Sequence, residues 1–220
     1  MKQLIAQLRT IGALQLYRTH TSLFFQGEVP RHVTVILDGV VKAYTISPEG
    51  EETIVSLFGR GSVIPAAWVN NHAGTALFNY SALNDVRVIT VQKIEFFALI
   101  NQNPELQREY LEHIMQSQAE LLLRVTGLSQ SRAIDKICYT LFFLLFRYSI
   151  DRGDGYYEID LKLTQGLLAN LIGQTRESTA KNLKTLRELG IIEYTSSTYL
   201  VNKRKLEQYL GEDAFRDMTL

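Results

Sequence analysis

Arg176, Glu177 and Lys181 follow one another at steps of one and four residues, so a helix through them presents all three along one side. A guanidinium can donate two hydrogen bonds to guanine O6 and N7, and a carboxylate can accept one from cytosine N4. Lys181 supplies charge without the planar fork of an arginine. Hydroxyl and amide side chains surround the trio: Thr164 and Gln165 upstream, then Thr175 and Ser178. Such groups serve as helix caps or as partners for phosphate oxygens. The chemistry on offer is recognition of a groove in a charged polymer.

Those side chains need a scaffold, and the flanking residues supply one. Thr164 is placed to cap a helix running to about Leu171, with Leu167, Leu168 and Leu171 inward. Gly173 ends that helix, and Thr175 caps a second from Arg176 to about Leu189, with Thr179, Leu183 and Leu186 on its buried side. Two helices joined by a short glycine-bearing turn, the second rich in cations, form a helix-turn-helix. After Gly190, residues 191–194 and 198–201 read as a two-stranded hairpin, which makes the motif a winged one.

Upstream the texture differs. Residues 23–91 hold short β-branched and aromatic runs at 33–37, 40–46, 53–58, 78–83 and 86–91, with glycine turns at Gly27, Gly39, Gly50 and Gly61. That pattern predicts an antiparallel sandwich or barrel. From Ile94 the period lengthens to about 3.6 residues, first in a short helix with Phe96, Phe97, Leu99 and Ile100. Leu106, Tyr110, Ile114, Leu121, Val125 and Leu128 then stripe a helix of roughly 25 residues, about 37 Å long. The stripe reads as a seam between two copies, with an ordinary buried helix as the other reading. Gly127 is the expected hinge. Residues 132–146 read as a very apolar helix, followed by a turn at 151–155 and a short strand at 156–160. The expected division is a β-roll at 1–100, a dimerisation helix and hinge at 101–129, and a DNA-binding domain at 130–220, an α+β chain.

Composition narrows the function classes. The chain has 23 Lys+Arg against 23 Asp+Glu, so a globally basic coat is excluded while a local basic face is not. With 1 Cys, a single chain builds neither a disulfide framework nor a multi-thiolate metal cluster, and no metal site is expected. The four histidines, His20, His32, His72 and His113, sit in no ligand spacing. The start of the chain lacks a secretory pattern, and residues 138–146 are far short of the roughly 20 apolar residues that span a bilayer. A cytoplasmic protein with no membrane partner is expected. No phosphate loop, nucleophile elbow or metal-ligand pattern argues for an enzyme.

The order of β-rich domain, long helix and winged helix-turn-helix resembles the cyclic-AMP receptor protein / fumarate-nitrate reduction regulator (CRP/FNR) family of bacterial transcription factors. The resemblance spans about Leu23 to Tyr209 and is sharpest in Leu171-Ile172-Gly173-Gln174-Thr175-Arg176-Glu177-Ser178-Thr179, close to the family's recognition-helix entry. It implies that Arg176 and Glu177 read a G·C step and that Lys181 stands where many members carry a second arginine. It also implies three partners: double-stranded DNA with an imperfect palindrome, a second copy of the chain, and RNA polymerase.

Family members that bind cyclic nucleotide carry a Gly-Glu pair after the last roll glycine and an Arg-Ser or Arg-Thr pair further on. Pro65-Ala66 and Ala76-Leu77 stand at those places, so both charged anchors are missing and cyclic AMP binding of the usual kind is not expected. Ile64, Pro65, Trp68, Leu77, Phe78 and Tyr80 remain near the roll pocket. They either line a site for an uncharged or aromatic effector, facing His113 or Tyr110, or fill the pocket themselves; filling is favoured. No cofactor is named by these residues. The leading function is a homodimeric, sequence-specific DNA-binding regulator. The alternative is a small-molecule or protein-binding module whose winged helix contacts protein.

Overall fold

The computed structural model describes residues 1–211. The chain forms two compact units, Met1–Ser117 and a second from Gln118 onward. The first unit opens with helix α1 (Lys2–Ile11) and continues through β1 (Ala13–Tyr17), β2 (Ser22–Phe24), β3 (Val33–Asp38), β4 (Val41–Ile46), β5 (Glu52–Phe58) and β6 (Val63–Ile64). A short helix α2 (Ala66–Val69), then β7 (Asn79–Ala82), β8 (Val86–Val91) and α3 (Lys93–Gln102) complete it, together with the first part of α4 (Pro104–Leu128). The strands make two antiparallel four-stranded sheets, ordered β1-β8-β3-β6 and β2-β7-β4-β5.

The period-2 rule explains the layering. On β3, Ile36 points between the sheets, where it meets Val41, Ala43, Ile64, Tyr80 and Val88. Val33, Val35 and Leu37 point the other way, to a helical layer of Leu4, Leu8, Phe96, Ile100, Leu106 and Tyr110. Both faces of β3 are therefore covered, and the strand is buried at every position from Val33 to Leu37, Thr34 included. The β3–β4 turn depends on Gly39. Its φ is +84°, and a Cβ there would lie 2.4 Å from the Asp85 carbonyl oxygen.

The second unit holds the last turns of α4, then α5 (Ala133–Tyr148), β9 (Ser149–Gly153), β10 (Tyr156–Ile159), α6 (Gln165–Ile172), α7 (Arg176–Glu188), β11 (Ile192–Tyr194), β12 (Tyr199–Asn202) and α8 (Lys203–Leu210). Its antiparallel sheet runs β11-β12-β10-β9. Helix α5 is the centre, with an unbroken buried run from Ile137 to Leu145. Cys138 lies within that run, and burial pushes its thiol up to about 12.

Two expectations are corrected. Leu106 and Tyr110, read as part of a dimer seam, are 1% and 8% exposed and belong to the roll's own helical layer; Tyr110 stacks edge-on with Phe96 at 5.5 Å. A 3.6-residue stripe says that a face is covered but not by what, and α3 covers these first turns. Gly127, read as a hinge, lies inside α4, where a Cβ would come 2.6 Å from Tyr139 Cβ. Its lack of a side chain lets α4 and α5 pack closely. Helix α4 contributes residues to both units, the division falling at Ser117. The last residues of the expected 130–220 domain lie outside the described ones. No helix among the described residues is long and apolar enough to cross a membrane.

Candidate nucleic-acid interface

The two helices of the motif begin where their caps predict. The Thr164 hydroxyl accepts from Leu167 N–H at 3.1 Å, and the Thr175 hydroxyl accepts from Ser178 N–H at 3.2 Å. Each satisfies one of the otherwise unpaired N–H groups of a first turn. Between them Gly173 takes φ +63°, a left-handed cap that turns the chain from α6 into α7. The Gln174 backbone N–H donates to the Ala169 carbonyl and fixes that turn.

Helix α7 is strictly two-sided. Thr179, Leu183 and Leu186 are buried, as their spacing requires. Arg176, Glu177 and Lys181 are all exposed, and Lys184 and Arg187 add two further exposed cations. Glu177 in the first turn lies at the positive end of the helix dipole. Lys184 approaches Glu188 only at 3.9 Å, with both side chains in solvent. Thr164 and Thr175 are exposed, while Gln165 and Ser178 are half-buried.

The hairpin is held firmly against the motif. Tyr194 and Tyr199 stack with ring centroids 5.5 Å apart, and the Arg187 guanidinium sits 5.3 Å from the Tyr194 ring. At the tip, the Ser197 carbonyl accepts from Leu163 N–H at 2.9 Å, which ties the wing to the residue before the α6 cap.

On α4, Ile114, Leu121 and Val125 are exposed, and Leu128 is half-buried. Leu111, Met115 and Leu122 are also exposed apolar residues of this helix, and the sequence reading missed them. Positions 111, 115, 118, 122 and 125 step by four and three, which places them along one side of α4.

The six residues expected at the roll pocket divide between two layers and the surface. Ile64 and Tyr80 are core between the sheets, with Phe78 packed beside them. Trp68 packs on the helical layer instead, under the Lys93 ammonium at 4.4 Å. Pro65 is buried, and Leu77 is 47% exposed. His113 lines a surface cleft of about 590 Å³ with Arg9, Arg60 and Gly61. Tyr110, its hydroxyl pushed above its usual range by burial, donates to Asn70 Oδ1 at 3.4 Å. Among the described residues of the first unit, no arginine or lysine is buried. No cluster of three or more His, Cys, Asp or Glu among the described residues could hold a metal ion.

A two-sheet roll followed by a winged helix-turn-helix with exposed cations defines the class of a bacterial-type transcription regulator. Comparison with known proteins agrees. Residues 14–103 match the cyclic nucleotide-binding domain family, and residues 135–209 match the Crp-like helix-turn-helix domain family. The global nitrogen regulator of a Nostoc species is 23% identical over 86% of this chain and 85% of its own. The anaerobic regulatory protein of Haemophilus influenzae is 28% identical over 82% of this chain and 69% of its own. FixK2 from Bradyrhizobium japonicum shares the fold, with a TM-score of 0.73 at 15% identity over 90% of this chain and 96% of its own. The chain belongs to the CRP/FNR family and is a transcription regulator of that type.

Proposed function

We propose that this regulator works as a homodimer that reads a two-fold DNA site through α7 and takes no instruction from cyclic AMP. One observation carries the DNA reading: Arg176, Glu177 and Lys181 are all exposed on a helix whose opposite side is core and whose start is capped by Thr175. Arg176 and Glu177 address a G·C step in each half-site, and Lys181 adds contact to the backbone or a neighbouring base. The exposed stripe from Leu111 to Val125 supports pairing of two copies along α4. Two α7 helices then enter successive major grooves about 34 Å apart. RNA polymerase is the partner that converts such binding into regulation, and the chain acts by binding and not as an enzyme.

Electrostatics disfavours cyclic AMP. A cyclic phosphate placed between the sheets would meet Ile36, Ile64, Tyr80 and Val88 with no buried cation beside it. An unpaired anion in such a setting is strongly penalised.

The test starts from duplexes selected by the wild-type protein from a randomised pool, with the molecular mass of the free protein measured by sedimentation. A dimer that prefers the selected palindrome over a scrambled duplex, with that preference lost in Arg176→Ala and Glu177→Ala, is the expected result. A monomer, or selectivity unchanged in both variants, overturns the proposal and favours a winged helix that contacts protein.

A further inference from the structure

We propose that Arg124 is a positioning residue for DNA reading: from the last turns of α4 it holds the end of α6, and so sets the angle at which α7 is offered to DNA. The inference rests on the homodimeric DNA reading above.

The last four carbonyls of a helix have no partner within it. In α6 the Ala169 carbonyl receives two donors, the Gly173 and Gln174 N–H groups. The Leu171 carbonyl is served from outside, by Arg124 Nη2 at 3.0 Å. Arg124 is only 6% exposed, and burial pushes its guanidinium down to about 10. A cation held in that setting is well matched to the negative end of a helix. Leu171 is two residues before Gly173 and four before Thr175, the cap of α7. The guanidinium therefore grips the chain immediately before the turn that aims the recognition helix.

Its neighbours make the grip rigid. Glu120, one turn earlier on α4, is buried and accepts from Arg147 Nη1 of α5 at 2.5 Å. Gly127, one turn later, lies against Tyr139 of α5. Glu120, Arg124 and Gly127 thus form an inward stripe, while Leu121, Leu122 and Val125 form an outward one on the same turns. The inward stripe fastens α5 and α6; the outward stripe is where a second copy pairs. Arg124 sits between pairing and reading, so it fixes how far apart and at what tilt the two α7 helices stand.

A residue with that role governs half-site spacing, and one that only stabilises the fold does not. Full-length wild-type, Arg124→Met and Arg124→Lys proteins are titrated against duplexes carrying the wild-type half-sites with the central spacer lengthened or shortened in single base-pair steps. Melting and circular dichroism establish the folded fraction. Arg124→Met is expected to lose about tenfold in affinity at the wild-type spacing and to show a flattened spacer preference. Its base preference within each half-site stays intact. Arg124→Lys, which keeps a donor but not the fork, falls between. A folded Arg124→Met with the wild-type spacer profile overturns the proposal, as does a loss equal at every spacing that tracks the unfolded fraction. If Arg124→Met does not fold, the same two criteria apply to Arg124→Lys. Wild-type protein that fails to separate operator from scrambled duplex refutes the DNA reading itself, a distinct failure visible before any variant is made.

Discussion

The outer side of α7 and the space between the two roll sheets put their informative residues to opposite uses. On α7, cations stand in solvent at fixed positions while the apolar residues beneath them are fully buried. Between the sheets, Ile64, Tyr80 and their neighbours occupy the volume themselves, and no buried cation accompanies them. A surface that reads a polyanion must keep its groups wet and separately placed, so its side chains contribute little to the fold. An interior must be filled, so its side chains contribute mainly to the fold. Substitutions at the two places therefore separate stability from recognition.

The largest expected effect is in the interior. Ile64→Ala, at a site with no exposure, costs about 2–5 kcal/mol of stability, read by urea unfolding, while DNA selectivity of the folded protein is unchanged. An altered base preference in this variant would break the comparison. Gly127→Ala forces a Cβ to within 2.6 Å of Tyr139 Cβ and costs about 1–3 kcal/mol by overpacking; chemical unfolding that matches wild type would overturn this account of the glycine. Arg176→Ala has the opposite profile: about 1–3 kcal/mol of discrimination between right and wrong bases is lost, with the melting midpoint unmoved, as competition binding and a thermal melt together show. Thr175→Ala removes the α7 cap and lowers stability by about 1 kcal/mol, so it should move both readouts modestly. Smallest of all, saturating cyclic AMP leaves the melting midpoint where it was, whereas a ligand of the folded state raises it.

The motif was legible because its signals are local. Thr164, Gly173, Thr175 and Gly190 punctuate the chain at the helix boundaries, and Leu183 and Leu186 mark the inward side without reference to the rest of the fold. Strands β3, β4, β5, β7 and β8 were legible for the same reason, through β-branched runs and glycine turns, whereas the two-residue β6 was not. What stayed hidden depends on distant partners. Leu106 and Tyr110 carry the same periodicity as Leu121 and Val125, and only tertiary packing separates core from open stripe. The edge strand β1 pairs with β8 alone and leaves Leu14 and Leu16 exposed, so its apolar residues mark no core face. Arg124 looks like an ordinary helix cation until its carbonyl partner, 47 residues away, is in view.

The buried thiol of Cys138 makes the unaltered chain a ready host for spectroscopic reporters. With its single native sulfhydryl enclosed in α5, a maleimide or nitroxide reagent finds no target on the folded protein. A cysteine introduced at one surface site of α7, by Lys181→Cys, would be modified alone. Distances between the two labels of a dimer could then be followed with every natural core residue still in place.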